Sequence, residues 1–223
     1  MVEELTRVSR GERSAGRPGR AVLPPALRAW LGTVAVLAAL VTGALGVVYA
    51  GGGEPGGVDA WVPVGSSGRD AALAVDFLGE PVGAAVLVLV AVTGCLLGRW
   101  ARAAVLVVAG TGLAVGITKL LKPLVGRTIH GDANLSYPSG HTAFLTAFAL
   151  VGALVVTGRL GLGRTAGLSL VLAAALVAGG AMGWAQVTLG AHYPTDVLGG
   201  WCTALAVIPV TAWAVDAGWR RRL

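Results

Sequence analysis

The sequence predicts an all-α fold, that of a polytopic membrane protein with six transmembrane helices. Three observations support this prediction: 55% of the 223 residues are hydrophobic, only 13% are charged, and the mean hydropathy is +0.76. A soluble domain has about 25% charged residues, so water is not the expected solvent for most of this surface. The 35 glycines are scattered through the apolar runs, where small residues let transmembrane helices pack closely.

Six stretches free of Asp, Glu, Lys, Arg and His mark the predicted helices. They are residues 29–53, 81–98, 103–118, 142–158, 165–191 and 197–215. Crossing the hydrocarbon core takes about 17–25 residues, and the shortest stretch reaches this length when residues 119–121 are added. The stem of Lys119 can lie along apolar surface while its ammonium group stays in the interface. Six such runs in series leave no polar face for water, which argues against buried helices of a soluble protein.

The chain divides into three predicted segments. Residues 1–28 contain six arginines and no apolar core, which predicts a disordered basic cytoplasmic tail and no secretory signal peptide. Residues 29–218 form the six-helix membrane domain, and residues 219–223 form a basic cytoplasmic end. Cys95 and Cys202 lie inside apolar runs without metal-binding spacing, so we expect them to be packing residues.

The basic residues predict which helix ends face the cytoplasm. With the N-terminus inside, most of the 17 Lys and Arg residues fall on the inner side, as is typical of cytoplasmic loops. They are the tail arginines, Arg99, Arg102, Arg159, Arg164 and Arg220 to Arg222. The first outer loop is acidic, with Glu54, Asp59, Asp70, Asp76 and Glu80. This placement explains the net charge of +6 without nucleic-acid binding, and it predicts a protein of the cell membrane with both termini inside.

The segment before the fourth predicted helix has the pattern of an anion site. It reads Pro138-Ser139-Gly140-His141, with Ser139 suited to the N-cap position. The unpaired N–H groups and the positive dipole of a helix start attract anions. We therefore expect Ser139 and Gly140 to bind a phosphoryl group, although an ordinary helix cap explains the same pair.

His192 and Asp196 are candidates for covalent catalysis. They are four residues apart and share one face if the segment is helical. An aspartate that accepts a hydrogen bond from one imidazole nitrogen leaves the other nitrogen free as a nucleophile. A capped helix with a structural ion pair is the alternative, and Pro194 between the two residues makes a regular helix doubtful at that point.

The third outer segment provides the remaining candidates. His141 would be the general acid that protonates a leaving alkoxide. Lys122 and Arg127 would neutralise the charge of the phosphate, although basic side chains can also extend to the headgroup layer without a catalytic role. All three histidines, His130 included, lie on the predicted outer side. Ionisable groups at membrane depth usually mark function.

Together these residues resemble the type 2 phosphatidic acid phosphatase (PAP2) superfamily, over residues 119–200 directly and, through the helix layout, over nearly the whole chain after the tail. Pro138-Ser139-Gly140-His141 matches the second family motif in full, and His192 with Asp196 matches the third. The resemblance implies a PAP2-like helical bundle and a reaction that needs no metal or other cofactor. It also implies that His192 becomes phosphohistidine, that Asp196 orients it, and that His141 protonates the leaving group.

Two departures from the family pattern concern phosphate binding. Where the first motif has Arg-Pro, this chain has Ile129 and His130, and where the third motif has an arginine, it has Gln186, preceded by Ala185. Each missing arginine would typically make a bidentate phosphate contact. Losing both removes several kcal/mol of transition-state stabilisation, on the scale of charged donors. Arg127, Lys119 and His130 are candidates for compensating this loss.

The sequence therefore predicts a membrane lipid-phosphate phosphatase that acts at the outer face on a phosphomonoester or pyrophosphate. Two alternatives stay open: a weakened or non-catalytic relative that binds lipid phosphate, and a phosphotransferase that uses an acceptor other than water. The expected partners are the bilayer and a lipid phosphate. Phosphatidate, phosphatidylglycerophosphate and polyprenyl pyrophosphates all present a phosphate at the same depth.

Overall fold

The computed structural model describes residues 21–61, 68–131 and 133–221. This part of the chain is all-helical, as the sequence predicts. Its α-helices are α1 (Arg28–Val48), α2 (Arg69–Phe77), α3 (Pro81–Leu97), α4 (Ala101–Val125), α5 (Gly140–Leu160), α6 (Arg164–Thr188) and α7 (Pro194–Arg220). Short 3₁₀ helices at Pro25–Leu27 and Gly57–Trp61 precede α1 and α2.

The lengths and apolar compositions of the helices are those of a multi-pass membrane protein. Within the described residues, α1 and α4 to α7 are each long and apolar enough to cross a membrane, and α2 and α3 pass the same test only as a pair bent by 53°. The predicted span 81–98 is therefore the second limb of a bent element. The sequence prediction missed α2 because Arg69, Asp70 and Asp76 interrupt its apolar residues.

Helix α7 lies at the centre of the bundle, in contact with α1, α4, α5 and α6. Two adjacent glycines let the segment before α5 approach it closely. A Cβ on Gly199 would lie 2.4 Å from the Tyr137 ring, and one on Gly200 would lie 2.3 Å from the Ser139 carbonyl oxygen. The Ser139 N–H also donates to the Asp196 carbonyl oxygen at 2.9 Å. These contacts bring the two motif segments together at one end of the bundle.

The opposite end includes residues that the sequence analysis assigns to the tail. Residues 1–20 and 222–223 of the predicted terminal segments lie outside the described residues. Val22 and Leu23 are buried, and both of their N–H groups donate to the Asp216 carboxylate at 3.0 Å. Residues 21–27 therefore pack on the bundle, because their apolar side chains cover its end. Helix α7 likewise continues beyond the predicted boundary at residue 218.

Candidate active site

The first turn of α7 positions His192 beside Asp196. Tyr193 is the N-cap residue and Pro194 follows in the first turn, where proline is tolerated. The Asp196 Oδ2 atom accepts the Tyr193 N–H at 3.0 Å and lies 3.5 Å from His192 Nδ1. His192 thus lies just before the helix, and the capping carboxylate, rather than a shared helical face, brings the pair together. Because Nδ1 faces Asp196, Nε2 is the nitrogen left for chemistry.

The surroundings of His192 favour its neutral form. Only 9% of its side chain is exposed. Burial lowers the pKa of His192, and the nearby Lys122 and His141 lower it further, whereas Asp196 raises it. Burial is the largest of these effects, since the charged ring loses its solvation. A neutral imidazole keeps the lone pair that a nucleophile needs.

Arg127 is fully buried and occupied by two carboxylates. Its Nη1 donates to Asp196 Oδ1 at 2.7 Å and its Nη2 to Asp59 Oδ2 at 2.6 Å. The guanidinium lies between the rings of Tyr49 and Tyr193, 4.2 and 4.5 Å from their centroids. The sequence analysis expects Arg127 to bind the substrate phosphate. The structure instead directs both terminal nitrogens inward, where they hold Asp196.

Asp59 completes this arrangement, and the sequence analysis does not single it out. Its Oδ1 accepts the Thr195 N–H at 2.9 Å, and its Oδ2 accepts the Thr195 hydroxyl at 2.7 Å. The Thr195 oxygen in turn accepts from Arg127 at 2.6 Å. We call Asp59, Arg127, Thr195 and Asp196 the sealed network. The sealed network connects the first outer loop to the start of α7. The acidic composition of that loop was the feature of the sequence that could have pointed to Asp59.

Both motif histidines line a cavity of about 430 Å³ between α3, α4 and α5. Its polar lining consists of Thr118, Lys119, Lys122, Gly140, His141 and His192, and its apolar wall consists of Pro81, Ala84, Val115 and Phe144. The Lys122 ammonium group donates to the carbonyl oxygens of Leu135 and Ser136, the latter at 3.3 Å. The convergence of the two distant segments, on which the sequence hypothesis depends, is therefore present.

Ser139 and Gly140 differ in their relation to this cavity. Gly140 lines it, at the first residue of α5. Ser139 is fully buried, and its hydroxyl oxygen accepts from the Thr142 N–H at 3.4 Å and from the Thr142 hydroxyl at 3.1 Å. Ser139 is thus the N-cap of α5, and of the two residues only Gly140 borders the space available to a phosphate.

Two carboxylates face His141 from the bend between α2 and α3. The His141 Nε2 atom lies 3.5 Å from Glu80 Oε1 and 3.8 Å from Asp76 Oδ1. Gln186, 1% exposed on α6, donates its side-chain N–H to Asp76. The sequence gives no role to Asp76 or Glu80, because Asp76 lies in α2 and Glu80 is the N-cap of α3, and the bend between these helices brings both to His141. Ligand atoms of Asp76, Glu80 and His141 lie within 4.8 Å of one another, close enough to hold a cation.

The residues at the altered first motif lie on another flank of His192. Ile129 is 4% exposed, and the His130 ring is hydrogen-bonded to the Gly190 carbonyl oxygen at 2.8 Å. Both residues line a separate cavity of about 330 Å³ that also touches His192. Neither residue lines the cavity of Lys122 and His141. Lys119, another candidate for compensating the missing arginines, does line that cavity.

The comparisons with known proteins show the family and the fold of the chain. The model of the PAP2 superfamily matches residues 100–220, and the chain belongs to that superfamily. A solved structure with the same fold is described as the first transmembrane PAP2 type phosphatidylglycerolphosphate phosphatase from Bacillus subtilis. It is 17% identical, with a TM-score of 0.56, and the match covers 86% of this chain and 96% of that one. No curated protein has a significant match to the chain.

Proposed function

We propose that this protein is a lipid-phosphate phosphatase that hydrolyses a phosphomonoester or pyrophosphate of a membrane lipid through a phosphohistidine at His192. The observation that carries the proposal is the cavity shared by His192, His141 and Lys122. A nucleophile, an acid and a cation around one space are the groups that phosphoryl transfer requires. Membership of the PAP2 superfamily supports the same reaction class.

The reaction proceeds in two steps. In the first, His192 Nε2 attacks phosphorus, the N–P bond forms, and the bond to the lipid oxygen breaks while His141 gives that oxygen its proton. In the second, His141 takes a proton from water as the water oxygen attacks phosphorus, the N–P bond breaks, and inorganic phosphate leaves with both histidines restored. Lys122, Lys119 and the first N–H groups of α5 stabilise the phosphoryl oxygens in both steps.

The sealed network holds the nucleophile in place during this cycle. Asp196 accepts from Arg127 through one oxygen and lies beside His192 through the other. Because Asp196 is also fixed by the Tyr193 N–H, it can hold the imidazole in the tautomer that leaves Nε2 unprotonated. This role replaces the phosphate contact that the sequence analysis expects of Arg127.

The substrate is a lipid because the cavity is bordered by membrane-spanning helices. Its apolar wall comes from α3, α4 and α5, so an alkyl chain can lie against these helices while its phosphate reaches the polar end. We place this end at the outer face of the cell membrane, since the arginines cluster at the other helix ends. Both termini are then cytoplasmic.

The proposal is tested by phosphate release from lipid phosphates and pyrophosphates by the purified chain in detergent containing a chelator. Wild type should turn over at least one of these lipids without added metal, and His192→Ala should abolish turnover. Asp70→Asn is the control, because Asp70 is an exposed carboxylate on α2 that does not line the cavity. Unchanged release by His192→Ala removes His192 from the mechanism.

One observation favours a second function, the binding of lipid phosphate without turnover. Gln186, which departs from the PAP2 pattern, donates to Asp76 and adds no positive charge to the site. If wild type releases no phosphate yet retains lipid phosphates on vesicles, this second function is the correct one. Transfer of the phosphoryl group to an added alcohol, in place of release, would identify a phosphotransferase.

A further inference from the structure

We infer that Asp76 and Glu80 are positioning residues that hold the proton-bearing ring of His141 for leaving-group protonation, with Gln186 holding Asp76. This inference rests on the proposed function and adds residues to its mechanism. We call Asp76, Gly79 and Glu80 the acidic elbow, because they lie at the bend between α2 and α3. None of the three belongs to a PAP2 motif quoted above, and all lie outside the residues that the family model matches.

The backbone of the elbow is built to touch His141. A Cβ on Gly79 would lie 2.5 Å from the His141 Cδ2 atom, which is closer than real side chains approach. A Cβ on Gly83, in the first turn of α3, would lie 1.9 Å from the Phe77 carbonyl oxygen. Glycine at these two positions lets α3 begin close to the end of α2 and lets the bend contact the imidazole. The contact sets the position of both carboxylates.

Gln186 connects the elbow to α6. Its side chain is 1% exposed, and its N–H group donates to Asp76 rather than facing the cavity. Helices α2 and α6 are also in contact, so the Gln186 bond to Asp76 lies within a packed helix pair. Hydrogen bonds to a charged group are stronger than those between neutral groups. The glutamine that departs from the family pattern therefore has a specific partner in this chain.

The charges around His141 are arranged on two sides. Asp76 and Glu80 face it from the elbow, whereas Lys119 and Lys122 on α4 line the same cavity, as does His192. An imidazolium is repelled by the lysines and attracted by the carboxylates. A general acid must carry its proton when the leaving oxygen departs. The two carboxylates supply the attraction that keeps the protonated ring beside the cavity.

The experiment compares two leaving groups on the full-length chain in detergent. Hydrolysis of a short-chain phosphatidic acid expels diacylglycerol, whose alkoxide needs a proton, whereas hydrolysis of p-nitrophenyl phosphate expels the stable p-nitrophenolate, which does not. Asp76→Asn with Glu80→Gln should lower kcat/KM for the lipid by about a hundredfold, the lower range for general acid catalysis, and for the aryl phosphate by less than about threefold. His141→Ala should show the same selective loss.

Two further variants refine the comparison. Gln186→Met, which keeps the volume and removes the donor to Asp76, should give a smaller loss with the same selectivity for the alkyl substrate. Asp70→Asn is the matched control, because Asp70 is an exposed carboxylate on the same helix, and it should leave both substrates unaffected.

The results of these assays distinguish a positioning role of Asp76 and Glu80 from a structural role and from metal binding. Equal losses on both substrates would assign Asp76 and Glu80 a merely structural role, and no loss would remove them from the mechanism. Activity of wild type that depends on an added divalent cation, and is lost in the double variant, would make the carboxylates metal ligands and overturn the inference. If wild type hydrolyses none of the lipid phosphates and pyrophosphates, or His192→Ala retains activity, the proposed function itself fails.

Discussion

Two regions of the site repeat one motif, a basic side chain between two carboxylates, in opposite environments. In the sealed network, Arg127 lies 2.6 and 2.7 Å from its acidic partners, and all three side chains are inaccessible. At the acidic elbow, His141 lies 3.5 and 3.8 Å from Glu80 and Asp76, and these side chains are 18–50% exposed.

This difference in exposure indicates that the charges of the sealed network stabilise the fold, whereas those of the acidic elbow are available for chemistry. Buried charges without solvent must be paired, so the sealed network is present as a unit or not at all. Partly exposed charges are screened by water and contribute little to stability, so substituting them costs the fold little. We therefore expect damage to the sealed network to affect folding first and damage to the elbow to affect turnover first.

The largest expected effect is that of Arg127→Met. This change leaves two buried carboxylates, Asp59 and Asp196, without a counter-charge, and it should lower the free energy of unfolding by about 3–5 kcal/mol. Titration with denaturing detergent measures the loss. Arg164→Met, at an exposed arginine, is the control and should unfold like wild type. A loss below about 1 kcal/mol for Arg127→Met would show that the network is not sealed from water.

A smaller effect is expected for Asp59→Asn, which keeps the shape and removes one charge. Asp59 accepts from Arg127 and twice from Thr195, so weakening these bonds should cost about 1–3 kcal/mol of unfolding free energy. Turnover should fall as well, because Arg127 then holds Asp196 less firmly. The same titration and a phosphate-release assay measure both. Glu54→Gln, in the same loop and exposed, should change neither quantity.

The pH dependence of kcat/KM tests the effect of burial on His192, the proposed nucleophile. Burial lowers the pKa of His192, and in the proposed mechanism the neutral ring is the reactive form. The acid limb of kcat/KM should therefore lie below pH 6.5, the ordinary value for histidine, with about a tenfold loss per unit of further acidification. An acid limb above pH 7 would contradict a lowered pKa of His192.

The smallest effect on stability is expected at the elbow. Glu80 is 50% exposed, so Glu80→Gln should change the free energy of unfolding by less than about 1 kcal/mol. The same variant should still lower turnover of an alkyl phosphate selectively. A destabilisation near that of Arg127→Met would erase the distinction between the two regions.

Much of the fold followed from local patterns in the sequence. Long apolar runs predict helices because the bilayer core leaves backbone groups no partner outside the helix. The N-cap position of Ser139 was correctly predicted because capping involves residues only three apart. The proximity of His192 and Asp196 was predicted for the same reason, although a cap and not a helical face produces it.

The tertiary structure alone decided which groups these residues meet. The partners of Arg127 are 68 and 69 positions away along the chain, and Asp76 is 110 positions from Gln186. No local pattern carries such pairings, because they depend on how α2, α6 and α7 pack. The sequence by itself determined a helical membrane protein of the PAP2 superfamily. The packing of the helices places Arg127 against Asp196 and two carboxylates against His141. The energy of two charges depends on their distance in space and not on their separation along the chain.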